Sequence, residues 1–496
     1  MYSAPETKDL NSVSKSRLLQ ELQKTVPREI LLDSKEAMRP FECDGLSVYR
    51  QLPLLVALPE DTSQVREILK TCCRIGVPVV TRGAGTGLSG GALPIENGLL
   101  LVLTKLNRIL DLDPLNRTAR LQPGVRNLAI SEAAAAHGLY YAPDPSSQIA
   151  CSIGGNVAEN SGGVHCLKYG LTVHNVLEVR LLTIDGDELV LGGAVLDSPG
   201  FDLLALVNGS EGMLGVITEI LVRLLPIPET AQVVLAGFAS IERAAATVGA
   251  IISAGIIPAG LEMMDRLSVE AVEAFISPGY PRDAEAVLLC ELDGGEAEVA
   301  EQMTAIKVIL NDHNATSVAV SANEADRLRL WQGRKNAFPA VGRIRPDYYC
   351  MDGTIPRREL ARVLASIHAA SERYGLPVAN VFHAGDGNLH PLILYDANRE
   401  DELEQAERLG AEILSMCIEA GGTVTGEHGV GMEKIDSMCE QFRPAELEQF
   451  HALKKAFDPA GLLNPGKAVP TLHRCAELGA MHVHKGKLPF PDLPRF

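Results

Sequence analysis

The sequence has no C-x-x-C pair and no run of cysteines with ferredoxin spacing, although it contains 10 cysteines. Protein iron–sulfur clusters are held by closely spaced cysteine thiolates. The absence of closely spaced cysteines predicts that the chain carries no iron–sulfur cluster of its own. The N-terminal residues also lack the apolar core of a secretory leader, so we expect the cysteines to be reduced thiols.

Positive charge is scarce relative to negative charge. Lys and Arg number 45 against 63 Asp and Glu, which gives a formal net charge of −18 at pH 7. Such a chain is repelled by nucleic acids and by anionic membrane surfaces, so we expect neither as a non-specific partner. An anionic substrate would need locally placed Arg, Lys, metal or backbone N–H groups.

Long uncharged hydrophobic runs are missing as well. The longest uncharged stretch, residues 244–261, contains Thr247, Ser253, Pro258 and three glycines. A membrane-spanning helix needs about 20 predominantly apolar residues, so this stretch predicts a packed helix that ends before the proline. We expect a cytoplasmic protein, with any peripheral attachment to the inner face of the cell membrane made through partners.

Helical and strand patterns alternate along the chain, which predicts an α+β architecture. Residues 12–26 predict an exposed amphipathic helix, residues 52–58 predict a buried strand, and Asp61 or Thr62 predicts a helix cap. Glycines and short strands dominate from 83 to 230, and we place a domain boundary near residue 229. The longer helical patterns that follow cover residues 240–254, 295–313, 357–373, 401–420 and 444–456.

The segment TRGAGTGLSGGALP, residues 81–94, directly follows a predicted strand. Gly85, Gly87 and Gly90 satisfy the dinucleotide-binding pattern G-x-G-x-x-G, but that pattern requires a helix immediately afterwards. A proline and another predicted strand follow instead. Residues without a Cβ atom let backbone N–H groups turn toward an anion. The glycine loop therefore predicts a phosphate site, with a plain hairpin turn as the alternative.

A second small-residue segment, YYAPDPSSQIACSIGGNVAENSGG, covers residues 140–163. It is polar and rich in turn-forming residues, and loops of this length inside a domain are usually functional. We predict a loop here. Two such segments, about 60 residues apart, indicate one extended cofactor that contains phosphate.

These two segments, with GSEGMLGVITEILVRLLP at 209–226, resemble the FAD-binding domain of the vanillyl-alcohol oxidase/PCMH flavoprotein superfamily. The resemblance implies that the glycine loop wraps the FAD pyrophosphate and that the second segment lines the flavin. It implies non-covalent FAD, because this loop lacks the histidine to which some relatives attach the flavin. The cofactor-binding residues that it implies are Arg82, Gly83, Ala84, Gly85, Thr86, Gly87, Ser89, Pro143, Ser147, Ser152, Gly155, Asn156, Asn160, Gly163 and Ile217.

The turn HAGDGNLH, residues 383–390, lies between two strand-like runs. Its glycines fold the backbone back, so His383 and His390 can face one point. A second glycine-bounded turn carries Glu427 and His428. Two histidines and one carboxylate form a suitable set for a divalent metal with open positions. The pattern predicts a metal site, with ordinary hydrogen-bonded histidines as the alternative.

Both turns resemble the C-terminal domain of FAD-linked 2-hydroxyacid oxidases and dehydrogenases, which act on glycolate, D-lactate or D-2-hydroxyglutarate. The resemblance implies that His383, His390 and Glu427 bind a metal, for which Zn, Mn and Fe are the candidates. It implies that His428 is the general base.

The segment WQGRKNAF, residues 331–338, matches the part of that domain that supplies an Arg to the substrate carboxylate. The implied residue is Arg334, with an exposed helix charge as the alternative. Phe338 and Cys350 stand where some relatives place a hydroxyl or a lysine near the substrate. This departure fits a substrate with little or no side chain.

Over its whole length the chain resembles the FAD-linked D subunits of bacterial glycolate oxidases, through segments such as CDGLSVYR, GRKNAFPAVGRIRPDYYCMDGTIPRR and LPFPDLPRF. The resemblance implies oxidation of glycolate, and of D-lactate, to the 2-oxoacid, in a complex with a second FAD-type subunit and an iron–sulfur subunit. The implied domains are an N-terminal helical segment (1–50), a two-subdomain PCMH-type FAD-binding domain (51–229), an α+β FAD-linked oxidase C-terminal substrate domain (230–470) and a tail (471–496).

Three other functions stay open at this point. The chain could be a dehydrogenase of D-lactate or another D-2-hydroxyacid. It could be a non-catalytic flavin-binding subunit needed for assembly. It could also be a metal-dependent hydrolase in which the glycine loop is only structural.

Overall fold

The computed structural model describes residues 13–195 and 199–471. The predicted tail, 471–496, lies outside the described residues apart from Thr471.

The predicted N-terminal helix forms over a shorter range than 12–26, and Ser14 Oγ caps it by accepting from Arg17 N. Its buried face carries Leu18 and Leu22.

The helices are α1 (Lys15–Leu22), α2 (Lys35–Met38), α3 (Thr62–Ile75), α4 (Asn127–Ala134), α5 (Ile153–Glu159), α6 (Cys166–Tyr169), α7 (Thr172–Asn175), α8 (Leu203–Val207), α9 (Ile241–Ser253), α10 (Arg266–Phe275), α11 (Glu296–Asp312), α12 (Glu324–Lys335), α13 (Ala337–Val341), α14 (Leu360–Tyr374), α15 (Glu402–Glu419), α16 (Ile435–Gln441) and α17 (Pro444–Phe457).

The strands are β1 (Leu31–Leu32), β2 (Leu55–Ala57), β3 (Val79–Arg82), β4 (Leu99–Val102), β5 (Ile109–Asp113), β6 (Thr118–Leu121), β7 (Leu139–Tyr140), β8 (Val176–Leu182), β9 (Glu188–Gly192), β10 (Val216–Arg223), β11 (Leu225–Pro226), β12 (Thr230–Phe238), β13 (Gly260–Asp265), β14 (Ala286–Gly294), β15 (Ser317–Val320), β16 (Asp347–Cys350), β17 (Val378–His383) and β18 (Pro391–Tyr395).

The first sheet has the order β1-β2-β4-β3, and it carries the glycine loop between β3 and β4. These two strands pair in parallel, with Val79 opposite Leu99. A hairpin turn joins antiparallel strands, so the hairpin alternative for the loop is wrong. The chain instead crosses from one end of the sheet to the other through residues 83–98.

The second sheet has the order β5-β6-β10-β8-β9. The segment at 140–163 lies beside it and is not a loop throughout, because residues 153–159 form α5. Ser152 Oγ caps this helix by accepting from Gly155 N, and Ile153 and Val157 are buried. Two glycines in its first turn weaken the helical signal in the sequence, but Gly154 packs against Pro123, where a Cβ atom would be 2.6 Å from the proline Cβ.

The seven-stranded sheet, β15-β12-β14-β13-β17-β18-β16, draws its strands from Thr230 onward. Strands β13 and β17 are antiparallel neighbours, with Glu262 opposite His383. The predicted helices of this half form as α9, α11, α14, α15 and α17. With the first two sheets, this arrangement confirms the predicted α+β class.

The end of the described chain returns to the first sheet. Val79 N donates to Leu462 O, and Asn464 N donates to Val79 O, each at 2.8 Å. Leu462 and Leu463 are buried in the same apolar cluster as strands β2 and β4. The part of the fold that contains the first sheet and the glycine loop is therefore built from both ends of the described sequence.

Two further predictions can be compared with the fold. Among the described residues, no helix combines the length and the apolar character that a membrane span requires. The cysteines were predicted to be reduced thiols, and eight of the described cysteines are free.

Candidate active site

A cavity of about 420 Å³ lies where the glycine loop, the segment that contains α5, and the two histidine-bearing turns meet. The turn from β17 contributes His390, and the later turn contributes Glu427 and His428. The predicted cofactor-binding residues that line this cavity are Gly83, Ala84, Gly85, Thr86, Gly87, Ser147, Ser152, Gly155, Asn156 and Ile217.

The other predicted cofactor residues, Arg82, Ser89, Pro143, Asn160 and Gly163, are not part of the cavity lining. Arg82 Nη1 donates to Cys43 O at 2.6 Å. Ser89 O accepts from the backbone N–H groups of the later turn at residues 432 and 433. Asn160 ends α5 with a left-handed conformation. Arg82 and Ser89 therefore connect the glycine loop to other segments of the chain.

The glycine loop and α5 approach each other more closely than side chains would allow. A Cβ atom at Gly83 would overlap Ser152 Oγ. Gly85 has φ of +74°, and a Cβ atom there would overlap the Arg82 guanidinium. The loop backbone can therefore pass directly over the start of α5.

The two turns bring the predicted metal residues together. His390 Nε2 lies 3.0 Å from Glu427 Oε1, and His383 Nε2 lies 3.5 Å from the same oxygen. The imidazoles of His390 and His428 are stacked with their centroids 5.0 Å apart. One ligand atom from each of His383, His390 and Glu427 lies within 4.8 Å of the others. This geometry matches the predicted ligand set.

Glu262 joins two of the predicted functional residues behind the cavity. Its Oε1 lies 2.7 Å from His383 Nδ1, and its Oε2 accepts from Arg334 Nε at 2.8 Å. The Arg334 guanidinium is buried rather than exposed, and it does not line the cavity, whereas the next residue, Lys335, does. Arg334 Nη2 is buried without a hydrogen-bond partner among the described residues.

The charges in the turns stabilise one another. Burial lowers the pKa of His428 to about 4. Burial raises the pKa of Glu427, but the adjacent imidazoles of His383 and His390 outweigh it and hold that pKa well below its usual range. For His383, burial lowers the pKa and the Glu262 carboxylate raises it, with the carboxylate effect the larger. Glu427 is thus an ionised carboxylate among imidazoles.

Sequence patterns alone missed several residues of the site. Glu159 and Glu211 line the cavity, and the Glu211 carboxylate accepts from Val430 N and Gly431 N, each at 2.7 Å. Burial, together with the charge of Glu211, raises the pKa of Glu159 well above its usual value. Glu262 could have been noticed in the sequence, because it is a carboxylate in the middle of the otherwise apolar segment of the strand GLEMMD.

Comparisons with known proteins match both halves of the chain to domains of FAD-linked proteins. Residues 53–192 match the family model "FAD binding domain", and residues 227–468 match "FAD linked oxidases, C-terminal domain". The chain is 63% identical to "Glycolate oxidase subunit GlcD" of Escherichia coli over 98% of both chains.

The chain belongs to the GlcD family of FAD-linked oxidoreductases. It is also 31% identical to "D-lactate dehydrogenase" of Anaerostipes hadrus, over 91% of this chain and 96% of that one. The fold is similar to that of p-cresol methylhydroxylase, with a TM-score of 0.78, 17% identity, and coverage of 92% and 97% of the two chains. The predicted family and the FAD cofactor are confirmed, and the hydrolase alternative is wrong.

The residues of this GlcD-family chain fit both groups that the sequence predicted. For FAD, the glycine loop and the start of α5 line one cavity of about 420 Å³ with glycines and hydroxyl side chains. For a metal, neither ring nitrogen of the buried His390 makes a hydrogen bond to a described residue. Unpaired imidazole nitrogens next to an ionised carboxylate are the donor chemistry that Zn and other divalent metals require.

Proposed function

We propose that this chain oxidises glycolate to glyoxylate and is the catalytic subunit of a glycolate oxidase complex. One observation carries the proposal: the turns at 383–390 and 427–428 meet in the wall of the cavity that the glycine loop forms. The GlcD relative is named as a glycolate oxidase subunit, which supports both the substrate and the assembly.

The cofactor and metal residues have separate tasks in this proposal. The cavity-lining glycine loop and α5 segment would hold FAD non-covalently, and bound FAD supplies the hydride acceptor. His383, His390 and Glu427 would hold a divalent metal, for which Zn, Mn and Fe are candidates, and such an ion acts as a Lewis acid. Glu262 supports this assignment, because metal-ligating histidines usually donate their other ring N–H to a carboxylate or carbonyl.

The chain's own residues would orient the substrate and take its proton. His428 lines the cavity, and its Nδ1 has no hydrogen-bond partner among the described residues. In the proposed step, His428 accepts the hydroxyl proton of glycolate while hydride leaves the α-carbon. Arg334, which lies behind the cavity wall, would bind the carboxylate through its unpaired Nη2, and Lys335 is a cation on the wall itself.

Phe338 favours a small substrate. Its ring lines the cavity and lies 6.3 Å from the His390 ring in an edge contact. This position restricts the space beside the proposed metal site. We therefore propose glycolate ahead of D-lactate, although the D-lactate dehydrogenase relative supports the latter as a second candidate. A purely structural subunit would have no need of the converging turns.

The decisive experiment is an anaerobic titration of the purified flavoprotein with glycolate, D-lactate and D-2-hydroxyglutarate. Glycolate should bleach the flavin absorbance band at the lowest concentration. Bleaching by D-lactate at a lower concentration than glycolate would favour D-lactate as the substrate. Bleaching by none of the three acids would favour the assembly role.

Variants test the proposed residue roles in the same assay. His428→Ala should slow flavin reduction by roughly 100-fold or more, whereas His368→Ala, at an exposed position on α14, should match the wild type. Arg334→Met and Lys335→Met separate the two cations. The residue that binds the carboxylate should raise KM for glycolate when it is replaced.

The proposal also covers the partners of the chain, its location and its domain bounds. We propose a second FAD-type subunit and an iron–sulfur subunit as partners, because electrons from reduced FAD need an acceptor. We also propose a cytoplasmic location, with membrane contact only through the partners. The proposed domains are 1–50, 51–229, 230–470 and 471–496.

A further inference from the structure

The segment from Asp352 to Ile355 lies between the two turns and contacts both. On one side, Thr354 exchanges backbone hydrogen bonds with Thr423, at 3.0 and 2.8 Å. On the other side, Leu389 N donates to Gly353 O at 2.9 Å, and Ile355 N donates to Gly387 O at 3.0 Å. The two turns come from distant parts of the sequence, and this segment holds them next to each other.

Glycines permit this close packing. A Cβ atom at Gly422 would overlap Thr354 O, and one at Gly426 would overlap Thr354 Oγ1. At Gly387, a Cβ atom would overlap Ile355 O. The segment 352–355 therefore fits against both turns only because each turn has a glycine at the point of contact.

The Asp352 carboxylate gathers the donors of the later turn. Its Oδ2 accepts from Thr425 Oγ1 at 2.5 Å and from His428 N at 2.9 Å. Its Oδ1 accepts from the N–H groups of Gly426 and Glu427, each at 3.2 Å. Asp352 is fully buried. One carboxylate thus fixes the backbone of consecutive residues, including a proposed metal ligand and the proposed base.

A buried lysine completes the arrangement. Lys434 Nζ lies 3.1 Å from Asp352 Oδ2 and donates to Gly429 O, also at 3.1 Å. Lys434 is fully buried. It balances the carboxylate charge and fixes the carbonyl of the residue that follows His428. The turn is therefore held through its N–H groups by Asp352 and through a carbonyl by Lys434.

We propose that Asp352, paired with Lys434, is a positioning residue that sets the orientation of Glu427 and His428. The proposal rests on the proposed function for the roles of those two residues. It does not require Asp352 to touch substrate or cofactor. Supporting residues around metal ligands typically contribute 10–100-fold to metal affinity or activity, and this range sets the expected effect.

The test compares Asp352→Asn with a matched control, Asp458→Asn. Asp458 pairs with Lys454 at 2.6 Å, and that lysine also donates to backbone carbonyls, but the pair lies outside the two turns. In both FAD-loaded variants we would measure hydrogen exchange of the peptide 423–434, Zn²⁺ and Mn²⁺ affinity, and the rate of flavin reduction at saturating glycolate.

For Asp352→Asn we expect faster exchange in peptide 423–434, metal affinity weaker by about 10–100-fold, and a kcat that falls by a similar factor while FAD content is retained. The control should keep wild-type values in all three. Wild-type exchange together with wild-type flavin reduction in Asp352→Asn would overturn the proposal.

Two further measurements keep the outcome clear. If Asp352→Asn does not fold, Thr425→Val removes one donor to the carboxylate and leaves the buried ion pair in place. Faster exchange of the same peptide and a lower kcat support the proposal, and wild-type values of both reject it. If the wild type neither binds metal nor is reduced by glycolate, the proposed function fails, while the exchange measurement still decides whether Asp352 orders the turn.

Discussion

The replacement Glu262→Gln is the most direct test of how the site is built. Glu262 is fully buried, and its two oxygens contact Arg334 and His383, which are themselves 2% and 3% exposed. The glutamine keeps the shape but removes the negative charge that balances two buried cations. Breaking a buried ion pair on one side typically costs about 3–5 kcal/mol of unfolding free energy.

The substitution also changes the ring that Glu262 orients. If the amide oxygen accepts from Arg334 Nε, the amide NH₂ faces His383 Nδ1. That nitrogen must then be the acceptor, so the ring loses its Nδ1 proton and keeps the proton on Nε2, the nitrogen that lies 3.5 Å from Glu427 Oε1. We therefore expect metal affinity to fall together with stability.

The assay can use the single tryptophan of the chain. Trp331 is buried in the same half as Glu262, one turn of α12 before Arg334. Urea unfolding followed by its fluorescence should show an earlier midpoint for Glu262→Gln. Glu270→Gln removes the same charge from an exposed pair with Arg266 on α10 and should unfold like the wild type. An unchanged midpoint for Glu262→Gln would refute the reasoning from buried charge.

Three further changes have outcomes that follow from single contacts. Gly83→Ala places a methyl group against Ser152 Oγ, so FAD should bind more weakly in a fluorescence titration, whereas Gly249→Ala, which has free space inside α9, should leave FAD binding unchanged. Phe338→Ala should raise kcat/KM for D-lactate relative to glycolate, by up to about 200-fold per added methyl group. For Glu433, burial raises the pKa to about 7 from 4.5, so the folded state loses stability as pH rises from about 4.5 to 7. Glu433→Gln should therefore stabilise the protein by up to about 3 kcal/mol at pH 8 and have little effect below pH 4.5, as measured by urea unfolding at both pH values.

Much of the fold could be predicted because helix caps, apolar spacing and turns depend on residues close together in the sequence. The Asp61 cap and the apolar spacing after it are enough to define α3, and Asp61 Oδ1 does accept from Gln64 N. The strand predicted after the glycine loop distinguished this loop from a dinucleotide-binding loop, which is followed by a helix. That strand forms as β4. The two histidine-bearing turns were recognisable because glycines and ligating side chains alternate within a few residues.

What the sequence did not reveal depends on contacts between distant segments. Asp352 and Lys434 are 82 residues apart, and nothing near either residue indicates that they pair. The position of Arg334 on helix α12 likewise depends on Glu262, which lies on strand β13. The helix α5 was missed because its stability comes from packing of Ile153 and Val157 rather than from helical propensity.

The return of the chain end to the first sheet has a consequence for biosynthesis. Leu462, Leu463 and Asn464 bond or pack beside β3, and Lys467 donates to Gly91 O at the end of the glycine loop. During translation, the glycine loop leaves the ribosome several hundred residues before residues 462–467 do. Cofactor loading should therefore follow the synthesis of residues 462–467 and should not occur on a nascent N-terminal half.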